Sequence, residues 1–147
     1  MRILIFLFLL QTPLLAQTIK IVDGDTIHIN NIKYRFHGID APEMKQMCKQ
    51  NNQQIKCGVL ARDALVKKIG NQNVRCKKIT IDRYKRIIAE CFVNDESLSK
   101  YLVRNGYAFA YRKYSKQFIE DENFAREQKL GLWQMQFEYP WNYRRKN

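Results

Sequence analysis

The sequence predicts an α+β fold: a five-stranded β-barrel of the oligonucleotide/oligosaccharide-binding type with about three helices packed around it. Three observations carry this. Short β-branched runs separated by turn dipeptides crowd the first half of the chain. Helical periodicity enters at three separate stretches. No repeat or linker divides the 147 residues, a length that suits one domain with a modest core. Apolar residues make up 46%, enough for the chain to fold rather than stay disordered.

The elements follow in order. Residues 18–22, T-I-K-I-V, alternate as a strand does. Asp23-Gly24 is a turn signal, and residues 26–29 form a second strand. Asn30-Asn31 reads as a two-residue hairpin turn, because Asn tolerates positive φ. A third strand covers residues 32–38. This register sets Ile29 against Ile32, Ile27 against Tyr34 and Thr26 against Arg35. It brings Arg35 next to Asp25, with Asp40 just past the strand end.

Residues 44–56 are polar and read as a loop, bracketed in part by Cys48 and Cys57. Residues 56–69 turn helical, with Leu60 and Ala64, and Ala61 and Leu65, at i,i+4 spacing and Gly70 as a stop. Residues 73–81 and 86–93 are strands around the turn D-R-Y-K. Ser97 is an N-cap for a helix over 98–105, with Gly106 as its stop. Residues 107–111 read as a short extended piece. A third helix is expected over 118–130, ending at Gly131-Leu132-Trp133. Trp133 and Trp141 read as packing for the aromatic tail, and Arg144 to Lys146 as a solvated end adding weak affinity for polyanions.

The first residues, M-R-I-L-I-F-L-F-L-L-Q-T-P-L-L-A-Q, have the pattern of a secretory signal peptide cut after Ala16. An uncleaved anchor is the alternative; the apolar run is shorter than the ~20 residues of a membrane span. The expected layout is a leader over 1–16 and a single domain over 17–147. That domain has a core near 18–133 and a C-terminal extension over 134–147. The expected location is secreted or periplasmic, with no membrane span once the leader is gone, as a monomer. In an oxidising compartment the four cysteines pair, and four allow three pairings. Folding about Arg83-Tyr84 sets Cys76 opposite Cys91, within disulfide reach. The expected bridges are therefore Cys76–Cys91 and Cys48–Cys57.

Lys and Arg number 26 against 14 Asp and Glu, for a net charge of +12. Such an excess points to a polyanionic partner: nucleic acid first, an anionic membrane or acidic glycan second. Against it stands one dense group of acids: Asp23, Asp25, Asp40 and Glu43. A hard cation such as Ca2+ takes oxygen ligands, and Asp25, Asp40 and the backbone carbonyl of Ala41 can supply them. Mg2+ or Mn2+ would suit the same donors. Glu43 can orient or deprotonate an attacking water. Arg35 can hold a phosphate in a fork, and Arg86, leaving the D-R-Y-K turn, is the candidate second cation. His28 and His37 lack the partners of a histidine-based site.

The strings D-G-D-T, R-F-H-G-I-D-A-P-E and D-R-Y-K-R, in this order over roughly residues 18–133, resemble the thermonuclease (staphylococcal nuclease-like) family. The resemblance implies that Asp25 and Asp40 are calcium ligands, that Asp23 is an acid behind them, and that Arg35, Glu43 and Arg86 are catalytic. It implies a barrel with helices and Ca2+-dependent cleavage of DNA and RNA that leaves 3′-phosphates. It also suggests Tyr111 and Tyr114 as contacts to a base or phosphate. Lys85 stands where the family usually has Gly, adding a charge beside Arg86. Pro140, Trp141 and Arg144 give a P-W-x-x-R-like tail similar to an exported bacterial branch. The competing reading is a non-catalytic nucleic-acid-binding module on the same fold.

Overall fold

The computed structural model describes residues 17–147, so the leader expected over residues 1–16 lies outside the described residues. Asn30 and Asn31 both take positive φ, 50° and 67°, the geometry of a type I′ turn. That turn joins β2 (Thr26–Ile29) to β3 (Ile32–Phe36) in the expected register, Ile29 with Ile32 through Thr26 with Arg35. β1 (Ile19–Ile21) pairs on the other side of β2. After a turn through Gly38 comes β4 (Ile39–Asp40).

Residues 44–56 are not the open loop expected. β5 (Met47–Gln50) and β6 (Gln53–Lys56) form a second Asn-Asn hairpin, with Asn51 and Asn52 at φ 49° and 63°. α1 (Cys57–Ile69) follows and ends at Gly70, also at positive φ. α1 turns Ala61, Leu65 and Ile69 into the core, where they meet Ile27 and Phe36 from the sheet. Full burial of a side chain such as Phe36 stabilises the fold by about 1.5–3 kcal/mol.

β7 (Arg75–Ile81) and β8 (Ile87–Val93) form the next hairpin. Their loop, Asp82 to Arg86, is longer than a two-residue turn, and a bulge between Lys78 and Thr80 absorbs the difference. Cys76 therefore still faces Cys91. Both expected disulfides are present, Cys76–Cys91 and Cys48–Cys57. β8 also lies parallel to β3, with Arg35 beside Ile88. The strand order β1-β2-β3-β8-β7 is an open, barrel-like sheet, and β9 (Glu96–Ser97) adds a short pair to β8.

Ser97 caps α2 (Leu98–Arg104), accepting a hydrogen bond from Lys100 N at 3.2 Å. β10 (Phe109–Ala110) pairs with β4, setting Phe109 beside Asp40. α3 (Ile119–Glu127) and a 3₁₀ turn at Gly131–Gln134 follow. Where about three helices and a solvated end were expected, the tail forms a fourth, α4 (Pro140–Lys146). Pro140 opens it, where a proline loses no hydrogen bond. Phe109, Trp133, Phe137, Tyr139 and Trp141 form an aromatic cluster over the Cys48–Cys57 bridge. Among the described residues no helix is long and apolar enough to cross a membrane.

Candidate active site

The hairpin and the strand after it bring three of the predicted residues into one ion-paired row. Arg35, at the end of β3, reaches back to Asp25 and forward to Asp40. Its Nη1 pairs with Asp25 Oδ1, and its Nη2 donates to Asp40 Oδ1 at 2.9 Å. Asp25 Oδ2 accepts the Ala41 N–H at 2.6 Å, which ties the first turn to the loop carrying the later acids. Gly24 allows this closeness: a Cβ there would stand 2.7 Å from Ala41 Cβ and 2.8 Å from Ala61 Cβ. Asp25 and Asp40 are buried, and Asp40 is 0% exposed.

Burial at this density shifts the acids. Asp23 is pushed from its ordinary 3.8 up to about 7, first by burial and then by the charge of Asp25 beside it. Burial also raises the Asp40 carboxyl, although hydrogen bonds from Arg144 act against it. Burial would lower the Arg35 guanidinium, but Asp25 and Asp40 outweigh it and the net direction is upward. Arg35 is thus a fixed positive charge at the centre of the row.

Glu43 lies on the loop after Asp40. Its side chain is 40% exposed, so it can reach solvent. Its backbone is held from two sides. The N–H donates to Gln46 Oε1 at 3.2 Å, and the carbonyl accepts from Gln46 N at 2.8 Å. Gly58, in the first turn of α1, packs directly beneath it.

Arg86 stands apart from the row. Its Nε donates to Asp82 Oδ2 at 2.8 Å, within the loop between β7 and β8. It precedes Ile87, which aligns with Tyr34 on β3, so it stands two residues before Ile88, the neighbour of Arg35 on β8. No hydrogen bond among the described residues joins it to Asp25, Asp40 or Glu43. Lys85 takes φ 61°, the left-handed conformation that a glycine would adopt without strain. Tyr111 packs face to face on Trp141 at 5.4 Å, with Tyr114 at its edge. Tyr114 is 63% exposed and presents its ring to solvent.

One residue of the cluster was not read from the sequence. Arg144, in α4, is no solvated end. Its Nη2 donates to Asp40 Oδ2 at 2.7 Å; its Nη1 donates to Asp40 Oδ1 at 3.1 Å and to Glu43 Oε1 at 2.8 Å. The available signal was the P-W-x-x-R string. A proline-started helix puts Arg144 one turn after Pro140, so that string aims an arginine wherever the aromatic tail docks.

The donors suit a hard divalent cation: carboxylate oxygens, two of them on buried aspartates, with a third acid, Asp23, beside Asp25. Among the described residues, however, no three acidic, histidine or cysteine side chains converge so as to hold a metal ion. In the row itself two guanidinium groups lie against Asp25, Asp40 and Glu43.

The chain is similar to proteins named as nucleases. The staphylococcal nuclease homologue family model matches residues 33–135. A probable staphylococcal-like nuclease of Oryza sativa subsp. japonica is 31% identical over 124 residues, 82% of this chain; the chain spans 31% of that protein's length. A micrococcal nuclease of Shigella flexneri is 31% identical over 148 residues, 88% of this chain and 80% of that protein. An uncharacterized endonuclease of Haemophilus influenzae is 29% identical over 125 residues, 80% of this chain and 65% of that protein.

Proposed function

The chain belongs to the staphylococcal nuclease homologue family, and from that premise we propose that it is an exported, metal-dependent nuclease acting on DNA, RNA or both with little sequence preference. The observation that carries this is the row Asp25–Arg35–Asp40 with Glu43 at its exposed end, set in a chain of net charge +12. A basic surface draws a polyanion by phosphate contacts, which are independent of sequence and weaken with salt.

Asp25, Asp40 and the Ala41 carbonyl would hold the cation, Ca2+ in this reading, with Asp23 behind them. When bound, the cation would supply a positive charge that orients the phosphodiester and offsets charge built up in the transition state. The chain's own residues do the rest. Arg35 spends its two Nη groups on Asp25 and Asp40, which leaves Nε–H for a phosphate oxygen. Arg86, whose side-chain hydrogen bond to Asp82 comes from Nε, has both Nη groups left for the same phosphate. Glu43 takes the proton of the attacking water. The water oxygen bonds to phosphorus, the bond from phosphorus to the 5′ oxygen breaks, and that oxygen leaves as a hydroxyl with a proton taken up from solvent. The product end is a 3′-phosphate. Lys85 and Tyr114, both exposed, would contact the strand.

The two disulfides support export to an oxidising compartment. The absence of a converged ligand set among the described residues favours one alternative, a module that binds nucleic acid without cutting it. Digestion of plasmid DNA and of RNA, with Ca2+ and with chelator, separates the two. The nuclease reading expects cutting with Ca2+ only and 3′-phosphate ends. Binding without cutting under Ca2+, Mg2+ and Mn2+ would leave the module.

A further inference from the structure

Glu43 is half open to solvent and sits on a loop, yet its carboxylate has to face one water in one direction. A free glutamate side chain gives up about 1.5–2 kcal/mol of rotamer freedom when fixed. Among the described residues, the side-chain hydrogen bond that fixes it comes from Arg144, 101 residues away in sequence. The guanidinium grips Asp40 through both Nη groups and shares Nη1 with Glu43 Oε1. One planar group therefore sets the spacing of the two acids. Glu43 Oε2 is left without a partner among the described residues and is available to a water. A carboxylate offers about four lone-pair sites. Asp40 uses three, for Arg35 once and Arg144 twice, and keeps one on Oδ2.

The tail delivering Arg144 is firmly tethered. Lys49 and Gln136 exchange backbone hydrogen bonds at 2.9 and 2.8 Å. The wholly buried Gln46 amide joins Glu43 N to the Glu138 carbonyl, which it reaches at 2.6 Å. Tyr139 stacks on Trp141 at 4.6 Å, and Trp141 on Tyr111. The loop that carries Glu43 and the segment that carries Arg144 are thus tied directly to each other.

We propose that Arg144 is a positioning residue of the cleavage site: it locks the Glu43 carboxylate against Asp40 so that Oε2 faces the attacking water. This rests on the nuclease reading above. A misplacement of about 1 Å at such a group can cost about 10²-fold in rate.

The test compares the unaltered chain, Arg144→Ala, Arg144→Lys, Glu43→Gln and the Arg144→Ala/Glu43→Gln pair. Cleavage of a short oligonucleotide is followed in saturating Ca2+, and thermal unfolding in chelator. Arg144→Ala is expected to lower kcat about 10²-fold with KM changed less than about threefold; Arg144→Lys recovers about tenfold, since an ammonium can bridge the acids but not fork on Asp40. In chelator, Glu43→Gln lowers Tm in the unaltered chain but not in the Arg144→Ala chain, the signature of a direct contact. Full kcat in Arg144→Ala, a loss confined to KM, or additive Tm shifts would each overturn the proposal. If Arg144→Ala does not fold, the kcat of Arg144→Lys decides: equality with the unaltered chain overturns it, and a partial loss at unchanged KM supports it. An unaltered chain that cuts nothing overturns the nuclease reading, a result distinct from an active chain indifferent to residue 144.

Discussion

The bare Cα of Gly58 packs against the carbonyl of Glu43, so closely that a Cβ on Gly58 would overlap it. Alanine in place of glycine inside a helix ordinarily stabilises by about 0.5–1 kcal/mol. Here the clash with backbone costs about 1–3 kcal/mol, and it wins. Gly58→Ala should lower stability and, by pushing Glu43 out of place, lower kcat as well. Chemical unfolding and steady-state cleavage check both; a stabilised, fully active Gly58→Ala would show that the loop yields freely.

The two disulfides close segments of similar length, with separations of 9 and 15 residues, so each should contribute about 3 kcal/mol through the unfolded chain. Their effects on activity should differ. Cys76–Cys91 joins β7 to β8 away from the acids, and replacing both with Ser should leave kcat unchanged below the unfolding transition. Cys48–Cys57 fixes the start of α1, next to Gly58, and its loss should lower kcat too. Cleavage rates of the two folded double variants at low temperature test this; equal rates would detach the hairpin from the site.

Asp23 gives the metal-free protein a pH dependence of definite sign. Its folded value, about 7, lies above the ordinary 3.8. Between those values the native state holds a proton that the unfolded chain has lost, so stability falls as pH rises through the window and levels off above it. In chelator, Tm should drop from about pH 5 to about pH 7.5, and Asp23→Asn should flatten that drop. Ca2+ should raise Tm more at the higher pH. A Tm that climbs across this range, with no difference in Asp23→Asn, would contradict the assignment.

The loop carrying Arg86 is organised by Asp82, whose carboxylate accepts from Tyr84 N, Arg86 N and Arg86 Nε at 2.9, 2.9 and 2.8 Å. Burial raises the Asp82 carboxyl, but those three hydrogen bonds and the charge of Arg86 together outweigh it and the net direction is downward. Asp82→Ala should cost about 1–2 kcal/mol, as a lost cap does, and raise KM by releasing Arg86. Lys85→Gly should act oppositely on stability, gaining up to about 1 kcal/mol by removing the left-handed strain. Binding of a non-cleavable oligonucleotide against salt would show Lys85→Gly with a shallower slope if that lysine meets a phosphate.

What the sequence made legible was local. Asn30-Asn31 fixed the register that joins Arg35 to Asp25, because a two-residue turn leaves no freedom in the pairing. The same dipeptide at Asn51-Asn52 went unread, since its flanks, Lys49-Gln50 and Gln53-Gln54, carry no apolar alternation to mark strands. The Cys76–Cys91 pairing was reached with a turn that is too short; the bulge before Thr80 restores the register one residue later. The parallel contact of β3 with β8, and Arg144 on Asp40 from 104 residues away, depend on tertiary docking that no short spacing encodes.

That bulge has a second consequence, for how copies of the chain meet one another. β7 is the free edge of the main sheet, and Ile79 and Ile81 are about half exposed along it, at 49% and 53%. A straight apolar edge of this kind invites the strand of a neighbouring molecule to pair with it. The bulge bends the strand between Lys78 and Thr80, and Lys77 and Lys78 add charge beside it. The irregularity that keeps the cysteines in register thus also makes the edge a poorer template for a strand from another copy.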